Sequence, residues 1–119
     1  MKLWLDDLRP APEGYVWVKT VEDAIYEIEY RKREFDRCWK YYILGYCDRE
    51  QLERWLTAWT IEEISCDNDL GEHEFEGYRL LDWLEATDYN FPIHIHTANP
   101  VARERMRAII QRNGWTEVK

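Results

Sequence analysis

The spacing of apolar positions changes period several times along the chain, and each change marks an element. Leu3-Trp4-Leu5 and Tyr15-Val16-Trp17-Val18 are short runs of β-forming residues. The turn-rich Arg9-Pro10-Ala11-Pro12-Glu13-Gly14 separates them, so each reads as a strand. A helical period follows, in which Thr20 with Asp23 resembles a capping box and Ala24, Ile25, Ile28, Phe35 and Trp39 fall near one face. From Asp36 to Tyr46 the aromatic run Trp39-Lys40-Tyr41-Tyr42-Ile43-Leu44 suits strand or helix. Beyond Gly45, Asp48 with Gln51 forms a second cap, and Leu52, Trp55, Leu56 and Trp59 trace an i, i+3, i+4, i+7 stripe. That helix has a Trp-rich face to bury.

Ile61 to Cys66 reads as a buried strand ending at the acidic loop Asp67-Asn68-Asp69-Leu70-Gly71. A helix from about Gly77 to Ala86 turns Leu80, Leu81 and Leu84 inward, and Ile93-His94-Ile95-His96 alternates as a strand. Asn99-Pro100 opens a helix holding Ala102, Met106, Ile109 and Ile110, Gly114 stops it, and Trp115 to Val118 is a last strand. Strands alternating with helices predict an α/β fold, a parallel sheet covered on both faces. Ligands of such sheets sit beyond the carboxyl ends of the strands, at the point where connections leave in opposite directions.

Composition narrows this further. At 119 residues the chain is expected to be one domain spanning 1–119, and 45% hydrophobic with 15% aromatic residues argues against disorder. No apolar run approaches the roughly 18–20 residues of a membrane span, and Asp6-Asp7 arrives too early for a signal peptide, so a cytoplasmic, membrane-free protein is expected. Cys38, Cys47 and Cys66 lack CxxC spacing, which disfavours a disulfide frame or structural zinc. A net charge of −8 disfavours duplex DNA and acidic lipid, although a small phosphorylated ligand remains compatible if a metal or local cations reverse the sign.

Three polar, aperiodic clusters each follow a predicted strand: Asp6-Asp7-Leu8-Arg9, Asp67-Asn68-Asp69 and His96-Thr97-Ala98-Asn99. In the strand order 2-1-3-4-5 the first and third strands are neighbours, which brings Asp6, Asp7 and Asp67 together. Carboxylates that close repel one another, and a hard cation relieves the repulsion. Magnesium suits such a site because it accepts one or two carboxylates and completes its shell with water and phosphate oxygens. Asp69 reads equally as a ligand or a turn residue.

Leu5-Asp6-Asp7, Asp67 and Thr97-Ala98 resemble the receiver domains of two-component response regulators. Leu3 to Pro12, Asp67 to Gly71 and His96 to Pro100 are more closely similar to one branch, the cyclic-phosphate-processing receiver-like domains. The resemblance implies a flavodoxin-like, receiver-like three-layer sandwich with a five-stranded parallel sheet of order 2-1-3-4-5. A helical insertion at about 36–60 precedes the third strand, and no final helix follows the fifth. It implies a phosphoesterase, or phosphate-processing domain, acting on a cyclic phosphate of a nucleotide or RNA end. By position, Asp6, Asp7 and Asp67 are carried over as magnesium ligands, Arg9 as a phosphate clamp and Thr97 as a phosphate contact; Asp69 stands beside them as a further metal candidate and Asn99 as a further phosphate candidate. His96 is carried over as general acid or base, with Asp67 beside it in the chemistry. Asn68 departs from the family, which often has His there, and the lysine of ordinary receivers has no secure counterpart.

Plainer readings stand beside these. Asn99 before Pro100 is what a helix start requires, Arg9 can pair with a neighbouring acid, and Glu72, His73, Glu74 and Glu76 suit a solvated loop or a gate. His94 is expected to be structural, on the face opposite His96. The rival functions are a non-catalytic binding module, with the Leu52–Trp59 helix as a protein-partner surface, and a phospho-accepting receiver with Asp67 as acceptor.

Overall fold

Alternation along the strands decides which way the sheet faces. In the computed structural model, which describes residues 1–119, Leu3 and Leu5 of β1 (Lys2–Leu5) are buried and stand in register with Ile64 and Cys66 of β3 (Glu63–Cys66). Val16 and Val18 of β2 (Tyr15–Val18) and Ile93 and Ile95 of β4 (Ile93–Ile95) extend the same apolar rows. With β5 (Glu117–Val118) the strands form one all-parallel sheet in the order β2-β1-β3-β4-β5, the flavodoxin-like α/β topology expected.

Each helix starts where a side chain can take its free N–H groups. Thr20 caps α1 (Val21–Ile43), Asp48 and Gln51 form a reciprocal box on α2 (Arg49–Trp59), and the Asn99 carboxamide caps α4 (Pro100–Asn113). The ambiguous stretch after Asp36 is helical: no residue breaks the pattern before Gly45, whose φ is +81°. The segment at 36–60 is therefore the last third of α1 folded back through α2. Leu52 is buried, and Trp55 and Trp59 are half-buried against α1, the Trp59 ring meeting Tyr30 edge-on at 5.6 Å. Most of that tryptophan stripe thus packs inside a helical hairpin.

The buried cluster joins the apolar rows of the sheet to Val21, Ala24 and Ile28 of α1, Leu80, Leu81 and Leu84 of α3 (Tyr78–Thr87), and Met106, Ile109 and Ile110 of α4. All three connecting helices therefore lie on one face. The second helical layer of a three-layer sandwich is not built by these residues, for a topological reason. The steps β2→β3, β3→β4 and β4→β5 all run the same way across the sheet, so right-handed crossovers stack α1, α3 and α4 on one side. Only β1→β2 runs the other way, and it is a loop, Asp6–Gly14, instead of a helix. The opposite face carries Lys2, Trp4, Tyr15, Trp17, Glu63, Ser65 and His94 without a helix over it. No helix is long and apolar enough to cross a membrane.

Candidate metal and phosphate site

Three adjacent strands end at one level. The backbone N–H of Asp67 donates to Leu5 O at 2.9 Å, that of His96 to Cys66 O at 2.9 Å, and that of Asp6 to Val18 O at 3.1 Å. Asp6, Asp67 and His96 are thus each the first residue past a strand, side by side at the carboxyl edge. Asp6, Asp7 and Asp67 each offer an oxygen within 4.8 Å of the others, while Asp69 lies outside this group and is exposed.

Asp6 is almost wholly buried, and every oxygen has donors. Oδ1 accepts the N–H of Leu8 at 2.9 Å and of Arg9 at 2.8 Å, folding the chain into a side-chain-templated turn. Oδ2 accepts Arg9 Nε at 2.8 Å and faces His96 Nε2 at 3.1 Å. Burial works to raise the Asp6 carboxyl, but the two backbone N–H groups, His96 and the Arg9 charge prevail and hold it below the usual carboxylate range. Arg9 also reaches Asp67 Oδ2 at 3.2 Å through Nη2, and Asp67 Oδ1 accepts the Asn68 N–H at 2.8 Å. Asp7 is half-buried with no hydrogen-bond donor on its carboxylate.

Three ionised carboxylates against one guanidinium leave two negative charges uncompensated, on hard oxygen donors that converge. That donor set fits a divalent cation of the magnesium type, with Asp7 as the least committed ligand. Arg9 is the second electrostatic remedy. It already bridges two of the acids, and with half its side chain exposed it can also face an anion.

His96 is fixed from three directions. Its ring stacks on Trp4 with centroids 3.9 Å apart and planes 5° from parallel, Nδ1 lies 2.7 Å from Ser65 Oγ, and Nε2 points at Asp6. Burial pushes the His96 pKa below its ordinary value, against the opposing pull of the Asp6 carboxylate. A neutral ring beside an ionised Asp6 must carry its proton on Nε2 to make that bond, so Nδ1 accepts the Ser65 hydroxyl proton. His94 Nδ1 is also 2.7 Å from Ser65 Oγ and is then the donor to it. His94 therefore shares a face with His96, contrary to the expectation from sequence. Residues two apart on a strand point the same way, and the isoleucines between them fill the other side.

The remaining predicted contacts sit at the margin. Thr97 is buried with its hydroxyl accepting the Asn99 N–H at 3.2 Å, and its carbonyl takes Arg103 Nη2. Asn99 accepts from Val101 and Ala102 N–H at 3.1 Å each, which is the capping role, and makes no hydrogen bond to the acids. Asn68, wholly buried, donates to Glu76 at 3.1 Å and accepts the Tyr78 N–H at 3.2 Å, so it caps α3 from across the loop, where Gly77 has no side chain to do so.

Sequence reading misses three supporting residues, Trp4, Ser65 and Gly77, and takes a fourth, His94, as structural but on the wrong face. Trp4, Ser65 and His94 each lie two positions before Asp6, Asp67 and His96, so stepping back one period of the strand would have found them. Gly77 carried no such signal. A Cβ there would stand 1.8 Å from the Asp67 carbonyl oxygen, so only glycine lets the loop press against the strand end that presents Asp67.

A flavodoxin-like sheet of order β2-β1-β3-β4-β5 whose acids, arginine and histidine converge at its carboxyl edge is the layout of a receiver-type domain. The family model for the cyclic-phosphate processing receiver domain matches residues 1–112, and the chain belongs to that family. No curated protein and no solved structure matches it.

Proposed function

We propose that the protein is a magnesium-dependent phosphoesterase that opens a cyclic phosphate on a nucleotide or RNA end. The observation that carries the reading is the convergence of Asp6, Asp7 and Asp67 within 4.8 Å, bridged by Arg9 and backed by His96. Asp7, Asp6 and Asp67 would hold the cation, which supplies charge neutralisation at phosphorus and an acidified water. Arg9 offers its exposed guanidinium edge to a phosphate oxygen while its Nε and Nη2 stay on the acids. Ring opening adds the elements of water: an oxygen–phosphorus bond forms, one ribose oxygen–phosphorus bond breaks, and the departing oxygen takes a proton. The attacking water loses one proton and the departing oxygen gains one; His96, held beside the acids by Trp4 and Ser65, would relay it as the imidazolium, because the neutral ring cannot give up its only N–H.

The test is turnover of 2′,3′-cyclic and 3′,5′-cyclic nucleotides with and without magnesium, alongside Asp67→Asn and His96→Ala. Magnesium-dependent opening that both variants lose supports the reading. Inactivity across the panel, with or without metal, shifts it to the binding module. That rival draws on Arg9, which neutralises part of the acid cluster without any metal. The phospho-acceptor reading is separated by intact mass after treatment with a small phosphodonor and magnesium, since a stable added phosphoryl group on Asp67 would support it.

A further inference from the structure

The face of the sheet that no helix covers is continuous with the acid centre. Across it runs one row in register, Trp17, Trp4, Ser65 and His94, and two residues further along each chain, just past the strand ends, come Lys19, Asp6, Asp67 and His96. Consecutive same-face rows are separated by two strand residues, about 6–7 Å, the span of a ribose. Trp17 is 37% exposed, its Nε1–H donates to the Asp6 carbonyl at 2.6 Å, and the Lys19 ammonium sits over its ring face, 4.6 Å from the centroid. Trp4 connects this surface to the chemistry through its stack on His96. In a chain of net charge −8, Lys2 and Lys19 place two cations on this face, Lys19 beside the acid edge.

We propose that this face is a nucleobase platform: the base of a nucleotide whose phosphate sits at Arg9 lies on Trp17, displacing the flexible Lys19 side chain from the ring toward the sugar-phosphate. The inference rests on the phosphate site proposed above and adds what the ligand carries besides its phosphate. Aromatic stacking tolerates any base because each has a π-face, so the platform selects for a nucleoside over a bare sugar phosphate without selecting among bases. Trp4 is a positioning residue here, since its ring faces are committed to His96 and the edge of Tyr15.

The experiment compares adenosine 3′-phosphate with ribose 5-phosphate, both with magnesium, by calorimetry and tryptophan fluorescence on the intact protein and on Trp17→Phe and Trp17→Ala. The nucleotide binds about tenfold tighter than the sugar phosphate, as stacking of one base supports. Trp17→Ala abolishes that preference and leaves ribose 5-phosphate affinity unchanged, and Trp17→Phe, which keeps a ring but loses the N–H to Asp6, retains it. Equal binding of the two probes to the intact protein overturns the platform while leaving the phosphate site standing. A loss in Trp17→Phe as large as in Trp17→Ala also overturns it, because the bond to Asp6, not the ring face, would then be the cause. Binding of neither probe overturns the phosphate site and the platform with it.

Discussion

Replacing Gly77 by alanine adds one carbon at the tightest point of the molecule. The new Cβ would lie 1.8 Å from the Asp67 carbonyl oxygen and 2.9 Å from its carbon, both backbone atoms that no rotamer change can move aside. Ordinary contact needs about 3.5 Å, so roughly 1.7 Å must come from separating the loop from the end of β3. That separation also strains the Gly77 N–H bond to Asn68 O, now 2.8 Å. Overpacking of this kind costs about 1–3 kcal/mol, sometimes more, which lowers the melting temperature by roughly 4–12 °C in a domain of this size. Gly114→Ala is the control. It has open space around it but a φ of +66°, so it loses about 1 kcal/mol through backbone conformation alone and leaves the acids in place. Urea denaturation followed by circular dichroism measures both, and magnesium titration tests Asp67 in its proposed role as a ligand. A Gly77→Ala protein with unchanged midpoint would refute the close-approach argument. A lower midpoint with unaltered magnesium affinity would detach Gly77 from the site.

Ser65→Ala removes the buried hydroxyl shared by the half-buried His94 and His96 rings and should cost about 1 kcal/mol; ring nitrogen resonances should keep the His96 proton on Nε2, and its transfer to Nδ1 would show that Asp6 does not set the tautomer. Glu85 is held down to about 2 by Arg112 and Asn113, so its contribution is present above the ordinary glutamate range and fades as pH falls through about 2. Glu85→Gln should therefore be less stable than the parent near pH 6, the two converging as pH approaches 2, and a gap independent of pH would count against the ion pair. Burial pushes the Cys66 thiol up to about 12 and raises Cys38 as well. A thiol reagent at neutral pH should reach Cys47 first, and fast modification of Cys66 in the folded protein would contradict its packing.

What could be read beforehand divides by how local its cause is. Strand ends, caps and the convergence of Asp6 with Asp67 follow from period, turn chemistry and strand order, and all of these are written in short stretches. The helicity of residues 36–43 was ambiguous because Trp39, Tyr41 and Tyr42 suit either state, and docking of α2 against α1 settles it. The single helical layer follows from connection directions combined with a loop too short to hold a helix, and the family pattern obscured that arithmetic. Gly77 and Asn68 depend on contact across a loop, which no spacing rule encodes.

The length of α1 separates two regions of the molecule. It begins beside the acid edge and spans about 35 Å, whereas β1 spans roughly 13 Å, so its far end runs well past the opposite rim of the sheet. The outline is correspondingly drawn out, 50 × 30 × 25 Å, with a radius of gyration of 15.5 Å. At that distal bend Ile43, Leu44 and Tyr46 stand in solvent. The molecule is therefore a handle joined to a head, with the exposed apolar bend and the cluster of acids set at opposite ends of its longest dimension.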